Sequence, residues 1–457
     1  MNIKFLGAIG TVTGSSYLLE TNNHKILVDF GLYQEEDADN TEMAFDPKSI
    51  DIVLLTHAHI DHVGRIPYLF KNGFKGKVYC THETYDLATI MLKDSATIQE
   101  RTTEDLNEAR EKAGLDSIDP LYNMEDVEIS LAYFYPVAFN QQVNFENITF
   151  EMFPAGHILG AATIQVDVIE NKVKETICFS GDLGNKGNLL LEEPNFRGHC
   201  DYLVLESTYG NRLHEKIDER SEKLGNILLD IYKGNKLGII PSFSVGRTQN
   251  IVLEIKNLLK KEKYSILKNL PIYIDSPLGL KATQIYEDNR QALRKSLEKE
   301  KDLFNLSNIK YIEEIKDTFS VINSENPKLI ISSSGMCNGG KILFYLKELL
   351  GKETTEIIFI GFQAENTLGR QLLEKNSSVW ISKKEYPVHA KIHKINGFSA
   401  HGDQEDLINF AKHLSNMPDI IFLTHGEEDA RHELKQKLID EGFNNVLLPD
   451  KNKVFKL

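Results

Sequence analysis

The sequence predicts an α/β protein: a β-rich first part, then strand–helix units on a mostly parallel sheet. Three observations carry that reading. The first third is a series of short strand patterns, each ending in a polar cluster. From about residue 212 the texture changes to apolar runs that end in Ser/Gly/Pro loops and are separated by helical patterns. Repeated βα units of this kind imply a mostly parallel sheet with ligands at the strand C-termini. After about residue 388 the strand patterns of the first part return. The chain has 457 residues, enough for two or three domains with sizeable cores.

In order, "NIKFLGAI" and "SSYLLET" alternate, Asn22-Asn23 turns the chain, and "KILVDFG" completes a hairpin meander. "DIVLLTH" is a continuous apolar run that fits a buried strand. Residues 83–114 have helical periodicity and few breakers. "VNFENITFEMFPA", "ETICFSGDLG" and "DYLVLESTYG" are three further strand-then-loop units. In the second part "LGIIPSFSVG", "LPIYIDSP", "PKLIISSSG" and "TEIIFIGFQ" read as strands. "TQNIVLEIKNLLKKEKY" and the charged "QIYEDNRQALRKSLEKEKD" read as helices, the latter as a solvated face. "AKIHKINGFSAHGDQ", "DIIFLTHGEED" and "NVLLPDKNKVFKL" belong to the return.

Composition narrows the class. Hydrophobic residues make up 41% and charged residues 26%, ordinary for a soluble globular protein. Neither a signal peptide nor an apolar stretch of about 18 residues is visible. The four cysteines form no CxxC pair and read as reduced core thiols of a cytoplasmic protein. The net charge of −15 argues against a surface coated in basic residues for nucleic acid, but allows a local basic cleft or a metal centre.

The chemistry concentrates in "THAHIDH". His57 and His59 sit two apart, a spacing that points both rings the same way in extended chain. Asp61 and His62 follow where the chain turns, before a helix starting near "GRIPYLF". A loop feeding a helix can aim two pairs of ligands at neighbouring points. Imidazole with carboxylate suits zinc, with manganese or iron as lesser options. Three more polar residues end apolar strands: His157 in "FPAGHILGAA", Asp182 in "CFSGDLG" and His425 in "IFLTHGE". Together they complete two sets: His57, His59 and His157 on one metal, and Asp61, His62 and His425 on the other, with Asp182 bridging. Two cations about 3.5–4 Å apart can hold a hydroxide and clamp attacking and leaving oxygens. Asp29, ending "ILVDF", is the candidate acceptor that fixes a ligand histidine.

These residues resemble the metallo-β-lactamase superfamily: "TVTGSSYLLE…ILVDFG", "LLTHAHIDHVGRIP", "AGHILGAA" and "FSGDLG" match its motifs in order. The resemblance implies an αββα sandwich with a dimetal site along one edge. "LVLESTYGNR" with Glu206, "INGFSAHGDQ" with His401 and "FLTHGEEDA" with His425 are similar to the signature elements of the β-CASP nucleases, in which a second domain interrupts the lactamase fold. The expected organisation is a lactamase part over residues 1–211, an inserted α/β domain over 212–387 and the returning lactamase part over 388–457. DNA-acting members tend to have valine at the place of His425, so the resemblance favours RNA as substrate. It also implies a stand-alone bacterial-type member, with dimers common among relatives. Asn185 departs from the pattern, standing where many relatives carry arginine, which removes a basic contact.

The function expected on this basis is a zinc-dependent ribonuclease, endonucleolytic in mode, using a hydroxide activated by two metals held through Asp61 and Asp182 among others. His401, held by Glu206, is the candidate general acid for the leaving 3′ oxygen. Phosphate holding is assigned to Ser242, Ser244 and Arg247 in "PSFSVGRTQ", and to Ser333, Ser334 and Gly335 ahead of a helix opened by Gly339-Gly340-Lys341. A 5′ exoribonuclease and a DNA nuclease on the same fold stay open. A small-molecule metallo-hydrolase and a non-catalytic scaffold fit the residues less well.

Overall fold

The computed structural model describes residues 1–34, 38–300, 302–325 and 327–457. The described chain divides into two compact units: residues 1–184, 193–213 and 401–457, and residues 185–192 and 214–400.

The first unit is a sandwich of two seven-stranded sheets. In one, Asn2–Phe5, Tyr17–Glu20 and Lys25–Val28 form the antiparallel meander, and Ile52–Leu54, Lys77–Thr81 and Phe134–Val137 add parallel strands. In the other, the order runs Val446–Leu447, Ile420–Thr424, Tyr202–Glu206, Val173–Phe179, Ala162–Glu170, Ile148–Pro154, Val143–Phe145. Alternation along the strands sends Ile3, Phe5, Leu19, Val28 and Leu54 from one sheet, and Phe150, Ile164, Val166, Phe179 and Phe422 from the other, into one shared core. The nine-residue strand Ala162–Glu170 is an element that the motif reading of "AGHILGAA" leaves unassigned. The long helix His82–Lys112 follows the periodicity of its sequence, and the Thr81 side chain caps it by accepting from Thr84 N.

The second unit carries a six-stranded, all-parallel sheet. Its central strands Leu237–Pro241, Lys328–Ser332 and Thr355–Phe359 are buried along their whole length, as expected where helices cover both faces.

Three expectations change. The strand Lys391–Lys394, assigned to the returning part, instead pairs with Thr355–Phe359 at the edge of the parallel sheet, and the first unit resumes at His401. Its four residues are too short a pattern to reveal which sheet they join. The charged helix stops at Asp288: beyond it Leu293 and Leu297 are buried in a run of turns, and Arg290 binds Glu287 and the Glu300 carbonyl. Lys301, near the end of that run, lies outside the described residues. Ile60–Val63 is already helical, so Asp61 and His62 sit in a first turn rather than ahead of it. All four cysteines are buried and free. No helix among the described residues is long and apolar enough to cross a membrane.

Candidate metal centre

His57, His59, Asp61, His62, His157, Asp182, Glu206, His401 and His425 all lie in the first unit. Sheet topology explains the assembly. Tyr202–Glu206 pairs in parallel with both Val173–Phe179 and Ile420–Thr424, so Asp182, Glu206 and His425 emerge side by side at the same strand ends. His157 comes from the connection between Ile148–Pro154 and Ala162–Glu170. His57 and His59 extend from Ile52–Leu54, and His59 stands at the N-cap of Ile60–Val63. His401 is drawn in by its bridge to Gly184 and by the Gly402 N–H donating to Leu183 O at 2.7 Å.

Two converging sets of donor atoms result. His59 Nδ1 lies 3.1 Å from both His57 Nε2 and His157 Nε2. Asp182 Oδ2 lies 3.4 Å from each of those two Nε2 atoms. On the other side Asp182 Oδ1 lies 3.4 Å from His62 Nε2 and 3.6 Å from His425 Nδ1. Asp61 Oδ2 is 3.5 Å from His425 Nε2, which in turn is 3.4 Å from His62 Nε2. Within each of the groups His57–His59–His157–Asp182 and Asp61–His62–His425 the donor atoms lie within 4.8 Å of one another. The two carboxylate oxygens of Asp182 thus face different sets.

Electrostatics leave the His57–His59–His157–Asp182 set in the forms that bind a cation. At His62, burial opposes the charged form, but Asp182 and Asp29 outweigh it and hold the pKa well above its ordinary value, so a cation there would displace a proton. Burial, helped by neighbouring imidazoles, holds His57 and His157 well below their ordinary pKa and pushes His59 down to about 4. Burial alone would protonate Asp182, but His425, His62 and His57 hold its carboxyl well below the usual range. Neutral imidazoles and an ionised carboxylate converging in a buried pocket have the chemistry of a divalent-cation site.

A supporting ring of acceptors aims these donors. Asp29 accepts from His62 Nδ1 at 2.7 Å, from Thr56 N at 2.8 Å and from Thr56 Oγ1 at 2.7 Å, which leaves His62 Nε2 facing the site. Thr208 Oγ1 lies 3.0 Å from His425 Nδ1 and donates to His425 O at 3.1 Å, performing the same service with a neutral hydroxyl. Thr56 and Thr208 go unnoticed in the sequence, although each adjoins a motif, in "LLTHAH" and "LESTYG". Asp29 and His425 both hold left-handed backbone, with φ of 57° and 50°. Non-glycine residues in that region cost on the order of 1–3 kcal/mol each, a strain found at functional sites. Gly31 is demanded by packing: a Cβ there would stand 1.6 Å from Asp61 O.

Glu206 and His401 meet beside this cluster. Glu206 Oε2 lies 3.1 Å and Oε1 3.2 Å from His401 Nδ1, and Oε1 also accepts from Leu183 N at 2.6 Å. Burial disfavours a charged His401, but Glu206 and Asp182 outweigh it and hold the pKa above its ordinary value.

The expected phosphate-binding residues belong to the second unit, and several are spent internally. Ser242 Oγ pairs with Thr248 Oγ1 at 3.1 Å and Ser244 Oγ with Ser276 Oγ at 2.8 Å, both serines being buried. They serve the strand–helix loop rather than offering hydroxyls to a ligand. Arg247 is buried and donates to Ile360 O at 3.1 Å. Gly335 is buried too, whereas Ser333 and Ser334 are half-buried. The helix after them starts at Ile342, and Lys341 is committed to Asp275 at 2.5 Å. Asn185 donates to Ser399 O, while Arg220 supplies a buried guanidinium that donates to the Gly187 and Gly397 carbonyls.

Residues 9–213 match the metallo-β-lactamase superfamily, residues 248–372 the Beta-Casp domain and residues 385–449 the Zn-dependent metallo-hydrolase RNA specificity domain. A ribonuclease from Thermus thermophilus is 30% identical over 436 residues, covering 94% of this chain and 94% of that one. An RNase J-like protein from Methanocaldococcus jannaschii is 34% identical over 434 residues, covering 93% and 92%. A crystal structure of an Enterococcus faecalis protein covers 100% of this chain and 99% of that one with a TM-score of 0.54 at 13% identity, a likeness of fold.

Proposed function

The chain belongs to the metallo-β-lactamase superfamily, in its β-CASP subgroup of metal-dependent hydrolases acting on RNA, and on that premise we propose that it is a zinc-dependent endoribonuclease with two metal sites. One observation carries the proposal: five imidazoles and two carboxylates converge as two sets that share Asp182. His57, His59 and His157 would hold one cation, Asp61, His62 and His425 the other, with Asp182 contributing one oxygen to each. The imidazole-rich donor set favours zinc over manganese. Bound there, the cations would supply Lewis acidity, lowering the pKa of a nucleophilic water and neutralising the scissile phosphate.

The protein's own groups do the rest. Asp29 keeps the proton of His62 on Nδ1, and Thr208 does the same for His425, so neither ring has to reorient to bind. Glu206 holds His401 by Nδ1, which leaves Nε2 to deliver a proton to the departing 3′ oxygen. In the second unit, Ser333 and Ser334 are the half-buried residues of the expected phosphate-binding set, and the Ser334 hydroxyl already donates to Gly339 O at 3.2 Å.

The test is cleavage of 5′-labelled RNA bearing a 5′-monophosphate or a 5′-triphosphate, alongside single-stranded DNA of the same sequence. Internal fragments from both RNAs, with DNA uncut, are expected. Mononucleotides released from the 5′ end would replace the endonuclease reading with an exonuclease.

A further inference from the structure

The chain has a single tryptophan, and it is not in the core. Trp380 is 65% exposed, on the strand Ser378–Ile381 of a two-stranded antiparallel hairpin with Lys384–Pro387. Its neighbours Val379 and Ile381 are buried against the second unit's core, so the pleat anchors the hairpin by one face and presents Trp380 on the other. The tip, Ser382-Lys383, has φ of 51° and 65° at its two residues. That is the tight two-residue turn that matches strand twist and fixes the hairpin's register. Lys347 Nζ donates to Ser382 Oγ at 3.0 Å and secures the tip to the adjacent helix.

Charge sets this segment apart. In a chain of net charge −15, residues 375–394 carry five lysines (Lys375, Lys383, Lys384, Lys391 and Lys394) against one acid, Glu385. Lys384 Nζ lies 5.2 Å from the Tyr386 ring centroid, and Lys383 and Lys384 are exposed at the tip. An exposed indole on an anchored hairpin beside exposed ammonium groups is the combination that binds single-stranded nucleic acid: a base stacks on the ring while the lysines meet the backbone phosphates.

We propose that the hairpin 378–387 is an RNA-contact site in which Trp380 stacks a base of single-stranded RNA, with Lys383 and Lys384 contacting the adjoining phosphates. The proposal rests on the ribonuclease reading and adds a binding element to it. Glu385 lies directly across the strands from Trp380 and takes the Ser378 hydroxyl at 2.5 Å. Its carboxylate opposes the phosphates, so Glu385→Gln is expected to tighten binding.

Because Trp380 is the sole tryptophan, its fluorescence reports on this one place. The experiment titrates the whole metal-bound protein, slowed by His401→Ala, with oligouridylate, measures total binding in parallel by anisotropy of 5′-labelled RNA, and follows cleavage by the unaltered protein separately. A saturable quench that tracks the anisotropy and weakens with salt is expected. Trp380→Ala should bind roughly five- to tenfold more weakly, Trp380→Phe should recover much of the loss, and Lys383→Ala/Lys384→Ala should flatten the salt dependence. Binding by anisotropy with no change in tryptophan emission, and unaltered affinity in Trp380→Ala, would overturn the hairpin site while leaving the ribonuclease reading intact. A protein that neither binds nor cuts RNA would remove both. Self-association that is lost in Trp380→Ala, with RNA affinity unchanged, would assign the hairpin to a second copy of the chain and overturn the RNA site.

Discussion

Replacing Asp29 with asparagine perturbs the metal centre without touching any proposed ligand. Asn tolerates left-handed backbone as well as Asp does, so the φ of 57° at this position is not a new source of strain. One amide oxygen can still accept from Thr56 N, now 2.8 Å from Oδ1. The amide NH₂ then faces His62 Nδ1 and Thr56 Oγ1, which both lie 2.7 Å from Oδ2. Donor meets donor at His62, and the ring relieves the clash by moving its proton to Nε2. That is the atom 3.4 Å from Asp182 Oδ1, so the lone pair meant for a metal is lost. Losing an outer acceptor of this kind weakens metal binding by about 10–100-fold, or about 1.4–2.8 kcal/mol. The effect should fall mainly on the site of His62, which Asp29 meets directly; Asp29 reaches His57 only through Thr56 Oγ1, which lies 3.1 Å from His57 Nδ1. Zinc titration of the metal-free protein should therefore resolve one strongly weakened step and one affected much less, with cleavage falling in proportion to occupancy of the weaker site. Two unchanged steps, or two steps weakened equally, would refute the assignment of His62 to a second site oriented by Asp29.

Three further outcomes are expected. His401→Ala should lose about 10²–10⁴-fold in cleavage rate while keeping its zinc content; loss of zinc would instead make His401 a ligand. Thr208→Val should weaken zinc about tenfold by leaving His425 Nδ1 unaimed, and Thr208→Ser should restore it, as read by competition with a chelator. Gly31→Ala drives a Cβ into the Asp61 backbone, so thermal unfolding should show a loss of about 3 kcal/mol or more, with zinc binding reduced because the helix Ile60–Val63 has to move.

Much of the site is readable in the chain because its densest part is local. Four polar residues between His57 and His62 need only one loop and one helical turn to face a common point. His157, Asp182 and His425 are legible for a different reason: each ends an apolar run, and strand ends are where buried backbone gives way to exposed polar groups. That these ends lie together is set by the parallel pairing of Tyr202–Glu206 with Ile420–Thr424, a contact across more than two hundred residues that no local pattern encodes. The hydroxyls of Thr56 and Thr208 are invisible for the same reason, since their role depends on which ring nitrogen they meet. Ser242 and Ser244 show the converse: loop serines look available in sequence, and only three-dimensional packing reveals that Thr248 and Ser276 already occupy them. The strand Ala162–Glu170 was within reach, because Ile164, Val166 and Val168 alternate with Gln165 and Asp167.

The central claim is that two metals, bound by these seven residues, are required for cleavage of RNA. Its most direct test is the rate of cleavage of 5′-labelled RNA as zinc is added back to the chelated protein, with bound metal measured in the same samples. The account predicts no cleavage without metal and full activity as occupancy approaches two zinc ions per chain. Undiminished cleavage by metal-free protein, or no cleavage at full zinc occupancy, would contradict it.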